Sequence, residues 1–175
     1  MKKRILFRIS LMVLLALPGM NAADCRERDP GDTCDTAFAI TGLPFSDQQN
    51  TGFFEDDYDA ACPYEGSTAP DIVYVFSPVQ DILIDADLCA DATDFDTKLY
   101  IFENDCAAGS LIACCEDFCR TESMTWTYVS ILQQVSLTAG NDYYFVVDGN
   151  RWSDGNVEFA LRESSGDPQL PDPEW

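Results

Sequence analysis

Asp94-Phe-Asp-Thr-Lys-Leu-Tyr-Ile-Phe-Glu103 is followed by a short glycine-containing turn and then by Ile112-Ala-Cys-Cys-Glu-Asp-Phe-Cys119. In the first run Leu99 and Ile101 alternate with Lys98, Tyr100 and Phe102, and a period of two is typical of a β-strand. The two runs therefore predict a β-hairpin. Its open end carries four acidic side chains: Asp94, Asp96, Glu116 and Asp117.

The rest of the chain has the same period. Apolar side chains recur at every second position in residues 82–88, 143–147 and 157–161. Residues 72–76 instead form a continuous apolar run, which is typical of a strand buried on both faces. Turns rich in Gly and Asn separate these runs, and no stretch has a helical apolar stripe. The sequence predicts an all-β, antiparallel β-sandwich.

The N-terminus has the pattern of a secretory signal peptide, with basic residues, a short apolar stretch and small residues near Ala22 and Ala23. We predict a signal peptide over residues 1–23, one domain over 24–163 and a disordered tail over 164–175, which holds three prolines. The apolar stretch is too short to remain in a bilayer. Secretion to an extracellular or periplasmic space is the expected localisation.

All eight cysteines follow the predicted signal: Cys25, Cys34, Cys62, Cys89, Cys106, Cys114, Cys115 and Cys119. An even number in an exported chain predicts disulfides, although spacing alone does not give their pairing. Zinc is the alternative. It is disfavoured because the chain has no histidine and Cys115-x-x-x-Cys119 has no matching second half.

The formal net charge is −21, and removing the signal makes it more negative by four because the signal carries basic residues and no acids. Such a charge repels nucleic acid and anionic membranes, so neither nucleic-acid binding nor membrane insertion is expected. It favours divalent cations or basic partners. The alternative is that the acids serve solubility in a salty medium.

Several motifs in order resemble the bacterial pre-peptidase C-terminal (PPC-like) domain and its cysteine-rich secreted relatives. They are Cys34-Asp-Thr-Ala, Pro70-Asp-Ile-Val-Tyr-Val-Phe76, residues 95–102, residues 114–119 and residues 137–149. The resemblance implies a jelly-roll β-sandwich, often calcium-stabilised, that binds extracellular polymers such as collagen. A similarity to CUB domains is weaker.

The same resemblance implies a disulfide pairing of Cys34 with Cys62, Cys89 with Cys119 and Cys106 with Cys114. Cys25 and Cys115 depart from the family pattern. As the two remaining cysteines, they would form the fourth disulfide.

Catalysis is not expected. Without histidine there is no His-based general base or triad. Paired carboxylates can hydrolyse glycosides, but acids are so abundant here that pairs arise by chance. A glycoside-active enzyme remains only a distant alternative.

The acidic hairpin end predicts a calcium site, since calcium takes six to eight oxygen ligands, often from several loops. If the residue numbers of each facing pair in the hairpin add up to 213, Asp96 faces Asp117. The two carboxylates then need a cation between them. Asp94 and Glu116 would complete one wall, and Asp57, Asp59 or Asp71 could supply further ligands. A bulge would shift this register. A solvated acidic rim without a fixed ion is the alternative.

Trp152 beside Arg151, in a loop rich in Gly and Asn, is a candidate ligand-binding pair, although aromatic residues more often pack internally. Together these features predict a secreted, monomeric, non-catalytic binding or structural module for an extracellular protein or polysaccharide. Its expected cofactor is calcium. A carbohydrate-binding module is the main alternative.

Overall fold

The structure, a computed structural model, describes residues 29–62, 65–121 and 128–166. The predicted signal peptide, Cys25, Trp126 and residues 167–175 of the predicted tail lie outside these residues. Within them no helix is long and apolar enough to cross a membrane.

The described chain forms nine strands and three short 3₁₀ turns, the turns at Cys34–Thr36, Thr51–Phe53 and Ala108–Ser110. The strands are β1 (Phe38–Ile40), β2 (Phe45–Asn50), β3 (Ile72–Phe76), β4 (Ile82–Asp87), β5 (Thr97–Glu103), β6 (Leu111–Cys115), β7 (Ile131–Leu137), β8 (Tyr143–Gly149) and β9 (Asn156–Glu163). The prediction of an all-β fold is confirmed.

Two sheets make up the sandwich, with strand orders β1-β3-β8-β5-β6 and β2-β9-β4-β7. The pairs β2–β9, β3–β8, β4–β7 and β5–β6 are antiparallel. The short edge strand β1 runs parallel to β3 and is the exception among these pairs. The jelly-roll topology itself stays a prediction.

The main core lies between the two sheets and contains the inward-facing residues of almost every strand. Tyr74 from the first sheet stacks on Phe159 from the second, with ring centroids 4.6 Å apart. Ile72, Leu99 and Phe145 are fully buried around them. Burying aromatic and branched side chains from both layers supplies the main driving force for joining the sheets.

A second, smaller cluster lies on the outer face of the first sheet, around Val73, Tyr100, Phe102 and Val146. Residues 55–62, which we call the strap, cover this face. Because of the strap, the first sheet is buried on both sides. This explains why β3 and β5 are almost continuously buried.

The β5–β6 register follows the prediction at the turn and departs from it further along. Phe102 pairs with Leu111, which fits a sum of 213, but Ile101 pairs with Ala113 and Leu99 with Cys115. Ile112 is the additional residue of a β-bulge that shifts the register by one. A sum of 213 would also place Leu99 opposite Cys114, so the predicted register, and with it the facing of Asp96 and Asp117, is wrong beyond the bulge. Beyond the bulge, acids on the two strands are not direct partners.

Three disulfides brace the described residues: Cys34–Cys106, Cys62–Cys114 and Cys89–Cys119, with Cα–Cα distances of 6.4, 5.9 and 6.0 Å. The Cys89–Cys119 prediction is confirmed. The pairings of Cys34 with Cys62 and of Cys106 with Cys114 are wrong. The strap runs along the outer face, so Cys62 reaches Cys114 on β6 while Cys34 reaches the β5–β6 turn. Three disulfides indicate folding in an oxidising compartment.

Cys115 is half-buried and forms no disulfide within the described part of the chain. Its predicted partner, Cys25, lies outside that part. The Cys25–Cys115 bridge therefore stays a prediction.

Candidate functional site

The start of β5 and the end of β8 meet at one end of the sandwich. The Asn150 N–H donates a hydrogen bond of 2.9 Å to the Asp96 carbonyl, and the Thr97 N–H donates one of 3.2 Å to the Tyr128 carbonyl. These bonds bring the segments around residues 96, 128 and 150 together. We call this region the Asp96 end.

Asp96 is half-buried at this end, and its two carboxylate oxygens differ. Oδ2 accepts a 3.2 Å hydrogen bond from Asn150 Nδ2, whereas Oδ1 is buried with no hydrogen-bond partner. Burial raises the pKa of Asp96. The Asn150 bond and Arg151 oppose this rise, and the charge of Asp117 adds to it. Asp96 is thus a half-buried acid with one buried oxygen that lacks a hydrogen-bond partner and with a second carboxylate nearby.

Asp117 is exposed, but the surrounding protein shields its carboxylate from part of the solvent. This partial burial raises the pKa of Asp117 as well. Although the bulge prevents direct pairing, its charge acts on Asp96. The predicted pair of carboxylates therefore lies within electrostatic range, without the facing geometry that was expected.

Asp94 and Glu116 lie nearby and have other partners. The Asp94 oxygens accept hydrogen bonds of 2.7 Å from the Asn156 backbone N–H and side-chain amide, so Asp94 fastens the start of β9. Glu116 is buried, and its carbonyl accepts a 2.6 Å hydrogen bond from the Ser130 hydroxyl. Both residues hold loops together at the Asp96 end.

The remaining predicted ligands lie along the strap. Asp71 Oδ2 accepts hydrogen bonds of 2.9 and 2.8 Å from the backbone N–H groups of Asp57 and Tyr58. Asp59 accepts hydrogen bonds from Gly66 and Ser67 and forms a 3.3 Å ion pair with Lys98. In this arrangement Asp71 and Asp59 fasten the strap to the sheet.

A row of charged residues runs under the strap, and two of its members were not among the predicted site residues. Lys98 on β5 pairs in register with Asp148 on β8, and continuing the β3–β8 register by one residue puts Asp71 beside Asp148. All three are buried: Lys98 is 2% exposed, and Asp71 and Asp148 are both 0% exposed. We call these three residues the buried row.

Desolvation dominates the electrostatics of the buried row. Burial raises the pKa of Asp71 to about 8, and the charge of Asp148 adds to the rise. Burial raises the pKa of Asp148 to about 7, against the opposing effects of Lys98, Tyr100 and Ser67. A charged residue within a fully apolar strand, such as Asp148 after Val146 and Val147, was the signal in the sequence that could have located this row.

The turn after β8 carries the predicted ligand-binding pair. Arg151 has φ 62°, in the left-handed region, and its guanidinium carbon lies 5.9 Å from the Trp152 ring centroid. Trp152 is 72% exposed. The side chain of Trp152 is therefore presented to solvent beside a cation, next to the Asn150 that binds Asp96.

The Asp96 end has the chemistry that calcium prefers. The Asp96 Oδ1, which has no hydrogen-bond partner, and the exposed Asp117 carboxylate are hard oxygen donors. Within residues 29–62, 65–121 and 128–166, no group of three or more acidic, cysteine or histidine side chains is placed to hold a metal ion. Backbone carbonyls and water would have to complete the coordination of an ion at this end.

Neither a scan against protein-family models nor searches of curated proteins and of solved structures find a match to this chain. The resemblance to PPC-like domains therefore stays a prediction.

Proposed function

We propose that this chain is a secreted, non-catalytic binding or structural module of the PPC-like kind, stabilised by a calcium ion at the Asp96 end. The single observation that carries this proposal is the buried Oδ1 of Asp96, which has no hydrogen-bond partner and lies near the charge of Asp117. A buried carboxylate oxygen without a partner is costly, and a divalent cation removes the cost.

Calcium suits this place better than a protein cation does. Arg151 acts on Asp96, yet burial and Asp117 still leave the pKa of Asp96 raised. A calcium ion between Asp96 and Asp117 would offset their repulsion, since each carboxylate can donate one or two oxygens. The strongly acidic composition of the chain adds to its attraction for divalent cations.

Calorimetric titration of calcium into chelator-treated protein tests the metal site. We expect saturable binding to the wild-type chain and a clear loss of affinity in Asp96→Asn, because the amide removes a charged ligand. Asp29→Asn is the matched control, since Asp29 is an exposed acid at the start of the described chain. Equal affinity in the two variants would refute a site at Asp96.

The partner is proposed to be an extracellular protein or polymer that contacts the turn of Arg151 and Trp152. A large exposed aromatic side chain beside a cation is the composition of many interface hot spots. We propose that the chain binds as a monomer, with its own strong negative charge favouring basic partners.

The exposure of Trp152 also favours a second candidate, a carbohydrate-binding module, because sugar rings stack on exposed aromatic faces. A glycan array run beside a panel of collagen and other matrix proteins separates the two. Trp152→Ala should abolish whichever binding is found, while Phe53→Ala, which removes another exposed aromatic side chain, should not. Unchanged binding by Trp152→Ala would exclude the turn as the contact.

A further inference from the structure

We propose that Lys98 and Asp148 of the buried row are joined by an intramolecular isopeptide bond that cross-links β5 to β8. The two residues pair directly across the ladder, and Lys98 Nζ lies 3.9 Å from Asp148 Oδ2. Reacting atoms need to approach to ~3–3.5 Å, so a small side-chain shift brings the amine to the carboxyl carbon.

Lys98 is unusual in this chain. It is the only lysine after residue 3, and its side chain is buried. Lysine is among the residues least often fully buried, since desolvating its ammonium group is costly. Converting the amine to a neutral amide removes that cost permanently.

Asp148 can hold a proton near neutral pH, because burial raises its pKa to about 7 and the Tyr100 hydroxyl has a second acceptor within reach. The Tyr100 hydroxyl lies 3.0 Å from the Tyr58 carbonyl oxygen and 3.0 Å from Asp148 Oδ2. A hydroxyl has one proton, and a carbonyl oxygen only accepts. If Tyr100 donates to Tyr58, Asp148 must carry the proton that completes the second bond. Asp148 is then a neutral carboxylic acid, which is the form that an amine can attack.

The charge of Lys98 is compensated elsewhere. Lys98 Nζ lies closer to Asp59 Oδ1, at 3.3 Å, and donates a 3.1 Å hydrogen bond to the Ala60 carbonyl. The hydrogen bonds from Gly66 and Ser67 help to lower the pKa of Asp59. Asp59 is therefore the ionised partner and a poor electrophile, and Asp148 is the better one.

The reaction is balanced without a cofactor. Lys98 first transfers a proton to Asp59, and the resulting amine attacks Asp148 Cγ. The new N–C bond forms, the C–O bond to Oδ2 breaks, and the oxygen leaves as water with the second amine proton. Asp71 is the group placed to carry that proton, because it lies beside Asp148 in register and its Oδ1 is buried without a hydrogen-bond partner. Asp59, which is part-exposed, then returns its proton to solvent.

Intact-mass spectrometry of the folded chain after reduction and denaturation tests the cross-link. We expect a mass that is lower by one water molecule than the mass calculated for the same residues without the cross-link. We also expect no cleavage after residue 98 by a lysine-specific protease. Fragmentation of the linked peptides should place the bond between Lys98 and Asp148. The full mass with normal cleavage would overturn the proposal, and a bond from Lys98 to Asp59 would overturn the choice of partner.

Variants separate the chemistry from folding. Lys98→Arg keeps a cation in the row but has no reactive amine, so it should show the full mass. Asp71→Asn should fold and lose most of the cross-link, because its amide cannot relay the proton. Complete cross-linking in Asp71→Asn would overturn the role of Asp71. The mass of the wild-type chain decides the main proposal even if a variant does not fold.

Discussion

Asp71→Asn should make the stability of the protein less dependent on pH. In the folded chain the pKa of Asp71 is about 8, against an ordinary value of 3.8. Between these values the folded state holds a proton that the unfolded state has lost. The stabilisation is fully present below pH ~4, falls as the pH rises, and is lost above the folded pKa.

The size of the effect follows from linkage. One such group lowers the free energy of unfolding by about 1.4 kcal/mol for each pH unit within this window. From pH 5 to pH 7 the expected loss is roughly 3 kcal/mol, which is a large part of a typical domain stability of ~5–15 kcal/mol. Asp71 is fully buried, so solvent screening reduces this figure little.

Asparagine resembles the protonated acid and can still accept the hydrogen bonds from Asp57 and Tyr58, but it does not titrate. Urea unfolding with intact disulfides at pH 5, 6 and 7 should give a slope lower by up to ~1.4 kcal/mol per pH unit in the variant. Both proteins carry Lys98→Arg, so neither forms the proposed cross-link and Asp148, with its pKa of about 7, titrates in both. Asp59 and Asp105, whose pKa values are lowered, titrate below this range. Identical slopes with and without Asp71→Asn in this background would refute the reasoning.

Two further predictions concern backbone packing and the disulfides. Gly149→Ala should destabilise the fold by about 1–3 kcal/mol in urea unfolding, because the added Cβ would collide with the backbone carbonyl of Ser153. Gly109→Ala, where a Cβ meets nothing within 4 Å, is the control, and an equal loss in both would contradict the packing argument. Peptide mapping without reduction should find the three observed bridges together with a Cys25–Cys115 bridge, and alkylation of a thiol at Cys115 would rule that fourth bridge out.

The strands could be predicted from the sequence because the alternation of apolar and polar residues indicates which face of a strand is buried. Leu99 and Ile101 face the main core as their spacing indicated, and the run of residues 72–76 is an internal strand covered on both faces. The predicted pairing at the hairpin turn was also right, since Phe102 does pair with Leu111. Local patterns suffice for these features.

The remaining details depend on features that no local pattern contains. No local pattern marks the bulge at Ile112, and one additional residue was enough to separate Asp96 from Asp117 in register. The disulfides of Cys34 and Cys62 depend on the path of the strap over the outer face. The burial of Lys98 was not predicted because a lone lysine in a strand ordinarily points to solvent, whereas here the strap covers it.

Thermal unfolding with calcium, with chelator and with sodium chloride at equal ionic strength tests the central claim most directly. A site occupied only in the folded state stabilises by about 2.7 kcal/mol at a hundred times Kd. For a domain of this size that corresponds to a Tm increase of roughly 5–10 °C. We predict that calcium raises Tm by this amount, that chelator reverses the rise, and that Asp96→Asn loses it. Equal shifts from calcium and sodium would show plain charge screening and contradict the account.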